Sequence, residues 1–191
     1  LDCHITPGNV HDSGPYIDRL NQIEKNFGFI ANKVALDSGY YSLDILKQLD
    51  KRGVFSVIGY RRFSKAKDTK YYKYIQEKDI FVDIRTGEIF EYKNIARNGY
   101  KEYRSADKTE KKKIRRHINA QHYDLAKIRR LSKEGKALYK RRKQTIERSF
   151  ADSKQNHGYR YAQYRGKAKV QSYAWLSCCV QNMKTIALRE L

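Results

Sequence analysis

The stretch Lys33-Val-Ala-Leu-Asp-Ser-Gly-Tyr-Tyr-Ser-Leu-Asp-Ile-Leu-Lys-Gln-Leu-Asp-Lys-Arg-Gly-Val-Phe-Ser-Val-Ile58 decides the fold class. Lys33–Leu36 is a short apolar run of the kind that fills a buried strand, and it ends at Asp37. Ser38-Gly39-Tyr40 reads as a loop. Ser42 stands where a cap is needed for a helix whose apolar set is Leu43, Ile45, Leu46 and Leu49. Gly53 stops that helix, and Val54–Ile58 is a second buried-type strand. Strand, helix, strand in this order is a βαβ unit, with parallel strands and a right-handed crossover. In open α/β sheets the reactive crevice lies beyond the carboxyl ends of the strands, and Asp37 sits at such an end.

Working outward, residues 1–6 read as a short strand closed by the turn Pro7-Gly8-Asn9. Ser13-Gly14-Pro15 then opens a helix, with Ser13 as its cap and proline suited to the first turn. Tyr16, Ile17, Leu20, Ile23 and Phe27 recur at helical spacing until Gly28 ends the run. Residues 1–60 thus read as part of an α/β core. Residues 61–135 are basic and rich in tyrosine, and form an insertion over that core. Within it, Ile80–Ile84 and Glu88–Tyr92 flank Arg85-Thr86-Gly87 as a β-hairpin. The charge run Lys108–Arg116 reads as a solvated helix or loop. Residues 136–191 return to the core as two helices. The first, about 136–155, carries Tyr139, Ile146 and Phe150 on its buried stripe. The second, about 168–189, places Tyr173, Leu176, Val180, Met183 and Ile186 on one face, as a core helix does.

Lys and Arg number 41 against 21 Asp and Glu, for a formal charge of +20, while 40% of the residues are apolar. The apolar fraction supports a folded core, and the charge predicts a polyanionic partner, because each neutralised phosphate releases counterions. Several of the 16 tyrosines alternate with cations, as in Tyr159-Arg160-Tyr161 and Tyr164-Arg165, where a ring stacks on a base or its hydroxyl meets a phosphate. The three cysteines, Cys3, Cys178 and Cys179, have no metal-site spacing and no disulfide framework, which favours a reducing compartment. No run is long and apolar enough for a membrane span, and no export signal is seen.

One helix carries the chemistry. In Tyr139-Lys-Arg-Arg-Lys-Gln-Thr-Ile-Glu147-Arg-Ser-Phe-Ala-Asp-Ser-Lys154, regular helical rotation places Lys140, Lys143 and Lys154 in one column with Glu147. A salt-bridge ladder accounts for one such pair, worth roughly a few tenths of a kcal/mol. A hard-metal ligand flanked by phosphate-binding cations accounts for the whole column.

The runs Thr6-Pro-Gly-Asn-Val-His-Asp-Ser13, Leu36-Asp-Ser-Gly-Tyr-Tyr-Ser42 and Arg142-Lys-Gln-Thr-Ile-Glu-Arg-Ser-Phe-Ala-Asp-Ser-Lys154, together with Gln181-Asn-Met-Lys184, resemble DDE transposases of bacterial insertion sequences. The nearest resemblance is to the group numbered 1182, close to the groups numbered 4 and 5. It implies an RNase H-like fold, a mixed five-stranded sheet with helices on both sides. It also implies two Asp and one Glu holding Mg²⁺ or Mn²⁺, hydrolysis at transposon ends followed by strand transfer, and double-stranded DNA as partner. A homodimer in the synaptic complex and a place in the bacterial cytoplasm, at the nucleoid, follow from the same resemblance.

Carried over by position, Asp37 matches the second Asp and Glu147 the Glu, both as metal ligands. Lys154 matches the lysine that touches transposon-end DNA, and Tyr139, Lys140, Arg142, Lys143, Arg160 and Arg165 join the expected DNA contacts. The related Tyr–Arg–Glu–Lys signature places arginine four residues before the Glu. Lys143 holds that position here, while Arg142 and Tyr139 each stand one step further back, so either cation is a candidate for the arginine's work. The first Asp of the triad is missing. Residues 1–6 look like the third strand, at the sheet edge, and strand spacing of about 4.8 Å puts Asp2 two or three spacings from the site. Asp12 reads as a helix N-terminal cap or dipole partner. The chain is accordingly expected to be an N-terminally truncated core, inactive alone. The insertion lacks cysteines, so no zinc site is expected. The rivals are a catalytically dead DNA-binding remnant and another RNase H-like nuclease such as a resolvase.

Overall fold

The computed structural model describes residues 2–59, 71–96, 98–105 and 112–188. The chain forms two compact units, one made of residues 1–60 with 125–191 and the other of residues 61–124.

In the first unit, α1 (Tyr16–Phe27), β1 (Lys33–Leu36), α2 (Leu43–Lys51) and β2 (Phe55–Ile58) follow the order read from the sequence. β1 and β2 are parallel, in register from Lys33 opposite Phe55 to Leu36 opposite Ile58. Ser42 caps α2 by accepting from the Ile45 amide, and Gly28 closes α1 in the left-handed region at φ 66°. Ile45, Leu46 and Leu49 are buried against a β2 whose Ser56, Val57 and Ile58 are buried too. Each apolar side chain among them contributes roughly 1.5–3 kcal/mol. Asp50 of α2 pairs with Arg129 at 2.6 Å, and the same guanidinium donates to Ser56 Oγ at 3.2 Å. That ties the end of α3 (Ala120–Leu131), a helix the sequence reading missed, to the βαβ unit.

Four expectations fail in this unit. Residues 2–6 form no strand. Their backbone is satisfied by side chains instead: Gln171 accepts from the Ile5 amide and donates to the Cys3 carbonyl, both at 2.8 Å, and Trp175 donates to that carbonyl at 3.1 Å. Ser13 does not cap α1; its hydroxyl lies 2.7 Å from His11 Nδ1, and Pro15 occupies the N-cap position. The third is α6 (Lys167–Ala187), whose faces are the reverse of those expected. It buries Gln171, Ala174 and Ser177, while Leu176, Val180, Met183 and Ile186 are exposed. Polar groups decide the inward face: Gln171 pairs with the extended segment, and Gln181 donates to Ser149 O at 2.9 Å and to Asp152 at 3.1 Å. Ile146 and Phe150, expected to be buried, are exposed as well.

The second unit is an antiparallel meander of β3 (Tyr72–Ile75), β4 (Ile80–Asp83), β5 (Ile89–Ile95), β6 (Tyr100–Ser105) and β7 (Lys113–His117). β4 and β5 are the hairpin read from the sequence, paired from Ile80 opposite Glu91. β7 corrects the solvated reading of the charge run. Lys113–Arg116 alternate as an edge strand does, and Arg115 is held by Glu102 of β6 at 2.6 Å; residues 106–111 lie outside the described residues. Phe81, Phe90 and Tyr103 form the core, with Tyr72, Tyr74 and Ile114 against it. Together with the parallel pair and the helices, this sheet gives an α/β mixed, RNase H-like architecture.

Asp79, in the left-handed region at φ 50°, organises one edge of that core. It accepts from the Tyr74 and Tyr103 hydroxyls, each at 2.6 Å, and from the Lys101 ammonium at 2.7 Å. Burial pushes its carboxyl up, but Lys101 and the two phenols outweigh that and bring it to about 2. The group is depressed on folding, so its stabilisation is full above its ordinary value of 3.8 and is lost as pH falls toward about 2. Tyr103 is fully buried. Asp79→Ala strands its hydroxyl, and urea melts of this unit are expected to show a loss of about 1–3 kcal/mol near neutral pH. Most of that difference disappears near pH 2, and an unchanged midpoint at pH 7 refutes the role.

Candidate active site

Asp37 follows the last residue of β1, and Gly59 follows the last residue of β2. The Gly59 amide donates to the Leu36 carbonyl at 3.1 Å, so the two strand ends stay side by side. Asp37 Oδ1 accepts from the Ser38 amide at 2.6 Å and caps the short turn Ser38–Tyr40. Its other oxygen, Oδ2, is left to face the long helix that crosses the strand ends.

That helix begins as α4 (Lys133–Arg142), widens into a π-helical turn at Lys143–Glu147, and continues as α5 (Arg148–Asn156). Tyr139 locks it to the strands. A methyl group at Gly59 would stand 2.5 Å from the Tyr139 hydroxyl oxygen and 3.1 Å from the Ser38 nitrogen, so only glycine leaves room for that approach. The guanidinium of Arg130 covers the Tyr139 ring at 4.0 Å.

The π turn settles where Glu147 points. In a regular α-helix, residues five apart stand about 140° apart around the axis. Here the i→i+5 turn brings Arg142 under Glu147, with Nη1 3.1 Å from Glu147 Oε1. The other arm, Nη2, lies 3.9 Å from Asp37 Oδ2. One guanidinium therefore joins the two carboxylates that sequence reasoning singled out. The Arg142 side chain is 15% exposed, against 57% for Asp37 and 46% for Glu147, so the carboxylates face solvent and the cation lies beneath. The Thr145 hydroxyl donates to the Arg141 carbonyl at 3.1 Å and occupies an acceptor in the widened turn.

This corrects the column of cations. Lys140 shares a face with Glu147 only if the helix is regular between them, and the π turn intervenes; Lys143, four residues before Glu147, stays near that face in either geometry. Glu147 pairs with Arg142. Downstream the helix is regular again, so Lys154, two turns on, keeps its place on the Glu147 face. Lys140, Lys143, Lys154, Arg160 and Arg165 are exposed, and none makes an ion pair among the described residues. α5 is fixed to α6 through Asp152, whose carboxylate accepts from Asn156, Lys184 and Gln181 and is held far below the usual range.

One neighbour of the site, Tyr40, was not singled out from sequence. Tyr40 packs edge-on against Tyr16 at 5.2 Å. Burial, then the charges of Asp12 and Asp37, push its phenol up, while Arg142 opposes them. Asp12, which accepts from the Thr6 hydroxyl at 3.2 Å and caps no helix, thus acts electrostatically at the same place. Asp2 does not, because Arg19 holds it through both oxygens. Among the described residues no group of three or more His, Cys, Asp or Glu is placed to hold a metal. The pair Asp37 and Glu147 still fits a hard divalent ion, since Mg²⁺ is commonly held by one or two carboxylates, with water and substrate phosphate completing the shell.

Among the described residues no helix is long and apolar enough to cross a membrane. Residues 1–183 match the family model described as Transposase DDE domain. No curated protein and no solved structure matches the chain.

Proposed function

The chain belongs to the Transposase DDE domain family, and on that premise we propose that it serves metal-dependent cleavage at transposon ends and strand transfer, with Asp37 and Glu147 as ligands of Mg²⁺ or Mn²⁺. The observation that carries the reading is the sharing of Arg142 between these two carboxylates. Two exposed anions drawn to one cation form a locus where positive charge is stabilised. When bound, the metal supplies an acidified water or 3′-hydroxyl and charge neutralisation at the leaving oxygen. The chain's own residues do the rest. Tyr139 and Gly59 fix the helix over the strand ends, and Arg142 holds the carboxylates in reach of each other. Lys140, Lys143, Lys154, Arg160 and Arg165 take the phosphates of double-stranded DNA, with two copies of the chain holding a pair of transposon ends in the bacterial cytoplasm. Family membership favours transposition over a resolvase; a DNA-binding remnant without catalysis is separated by the metal.

The test is Mn²⁺ binding followed by electron paramagnetic resonance, on the chain itself. Asp37→Asn is expected to weaken Mn²⁺ by at least about tenfold, the scale seen when a metal site loses even a supporting group. Equal Mn²⁺ affinity in wild type and variant removes Asp37 from the ligand set.

A further inference from the structure

After Asp152 the sequence carries no Asp or Glu until Glu190, and the residues between hold seven Lys and Arg. The loop joining α5 to α6 lies in this acid-free stretch and brings its tyrosines onto α6. Tyr159 stacks on Tyr173 with ring centres 5.9 Å apart and planes 14° from parallel. Tyr164 tilts against the same ring at 5.5 Å. The Tyr173 hydroxyl donates to the His157 carbonyl at 2.7 Å and fixes the shared ring. Beside these rings a cleft of about 340 Å³ is lined by Tyr164, Tyr173, Ala168, Leu176, Ser172 and Lys169.

We infer that this cleft takes one unpaired nucleobase of a DNA strand, stacked on Tyr164, with its flanking phosphates on Lys169 and Arg165. The inference rests on the DNA-binding reading above. An aromatic face stacks on any base, and cations beside it carry the backbone. The absence of acidic residues across the stretch sets the sign of the ligand as anionic. A paired base offers no free face to such a cleft, because its neighbours in the duplex cover it, so the occupant is a base out of the stack. Tyr164 and Leu176 are 48% and 65% exposed, which leaves the cleft open to a ligand of that size.

Three duplexes test this by fluorescence anisotropy: one fully paired, one with a single extra unpaired thymidine, and one with an abasic residue at the same bulge. The unpaired base is expected to bind about tenfold more tightly than the abasic bulge, the scale of one base stacked on one aromatic ring. Tyr164→Ala brings that ratio near one, and Tyr164→Phe keeps it. Ala168→Leu gives an independent check, because it fills the cleft from an exposed helical position without removing a ring. A wild-type ratio near one, with the paired duplex still bound, overturns the cleft alone; so does a ratio that survives both Tyr164→Ala and Ala168→Leu. Failure to bind any of the three duplexes at low salt overturns the DNA-binding reading together with this one.

Discussion

In a transposase carrying this domain, Glu147→Gln is expected to lower cleavage by about a thousandfold or more while DNA binding holds or rises. Glutamine keeps the length and helix propensity of glutamate but removes the anionic oxygens a hard metal needs. Charge stabilisation by a bound metal is worth several kcal/mol in the transition state, and about 4 kcal/mol is a thousandfold. Repulsion between Glu147 and DNA phosphate disappears in the variant, so affinity does not fall with activity. The rival reading makes Glu147 only the partner of Arg142, on a helix surface. An exposed pair of that kind contributes about 0–1 kcal/mol. Its loss would show in the melting temperature and leave cleavage intact. An active Glu147→Gln enzyme ends the catalytic assignment.

Salt is expected to act almost as strongly on binding. If the exposed cations Lys140, Lys143, Lys154, Arg160 and Arg165, with their neighbours Arg141, Arg148, Lys167 and Lys169, take six or more phosphates, duplex affinity falls by about 10³ or more between 50 and 200 mM salt. Sequence preference is small in this mode, because phosphate contacts position without reading bases. Lys154→Ala flattens the logarithmic slope by about one unit and leaves Mn²⁺ affinity unchanged. An affinity independent of salt removes the electrostatic account, whatever the net charge.

The parts of this protein that were legible in the sequence are those fixed by local rules. The β1–α2–β2 unit announces itself through two short apolar runs, a serine cap and a glycine stop, and each signal acts within a few residues of its effect. The hairpin around Arg85-Thr86-Gly87 is legible for the same reason. The place of Asp37 just past β1 was legible because a strand end is a local event.

What escaped depends on partners distant in the chain. No periodicity in Lys167–Ala187 reveals that Gln171 must turn inward to serve the backbone of Cys3 and Ile5, and that demand leaves Leu176 and Met183 outside. Lys113–His117 reads as solvated charge until Glu102 is known to stand across from Arg115. Residues 2–6 read as a strand by composition and the turn that follows, yet a strand is defined by a neighbour, and here the neighbour is a pair of side chains. Helical arithmetic left Arg142 out of the Glu147 column because it assumes a constant pitch, and the pitch changes between Arg142 and Glu147.

That change of pitch also bears on how relatives of this protein are to be found. A residue added to an ordinary helix turns everything beyond it by about 100°. Here Arg142 and Glu147, five residues apart, meet across the widened turn Lys143–Glu147, so that if Arg142 does the work of the signature arginine, the turn absorbs one extra residue. A search pattern that fixes the count of residues between those two letters passes over this chain. An alignment that respects the side chains opens its gap inside a helix, where gaps are ordinarily penalised most.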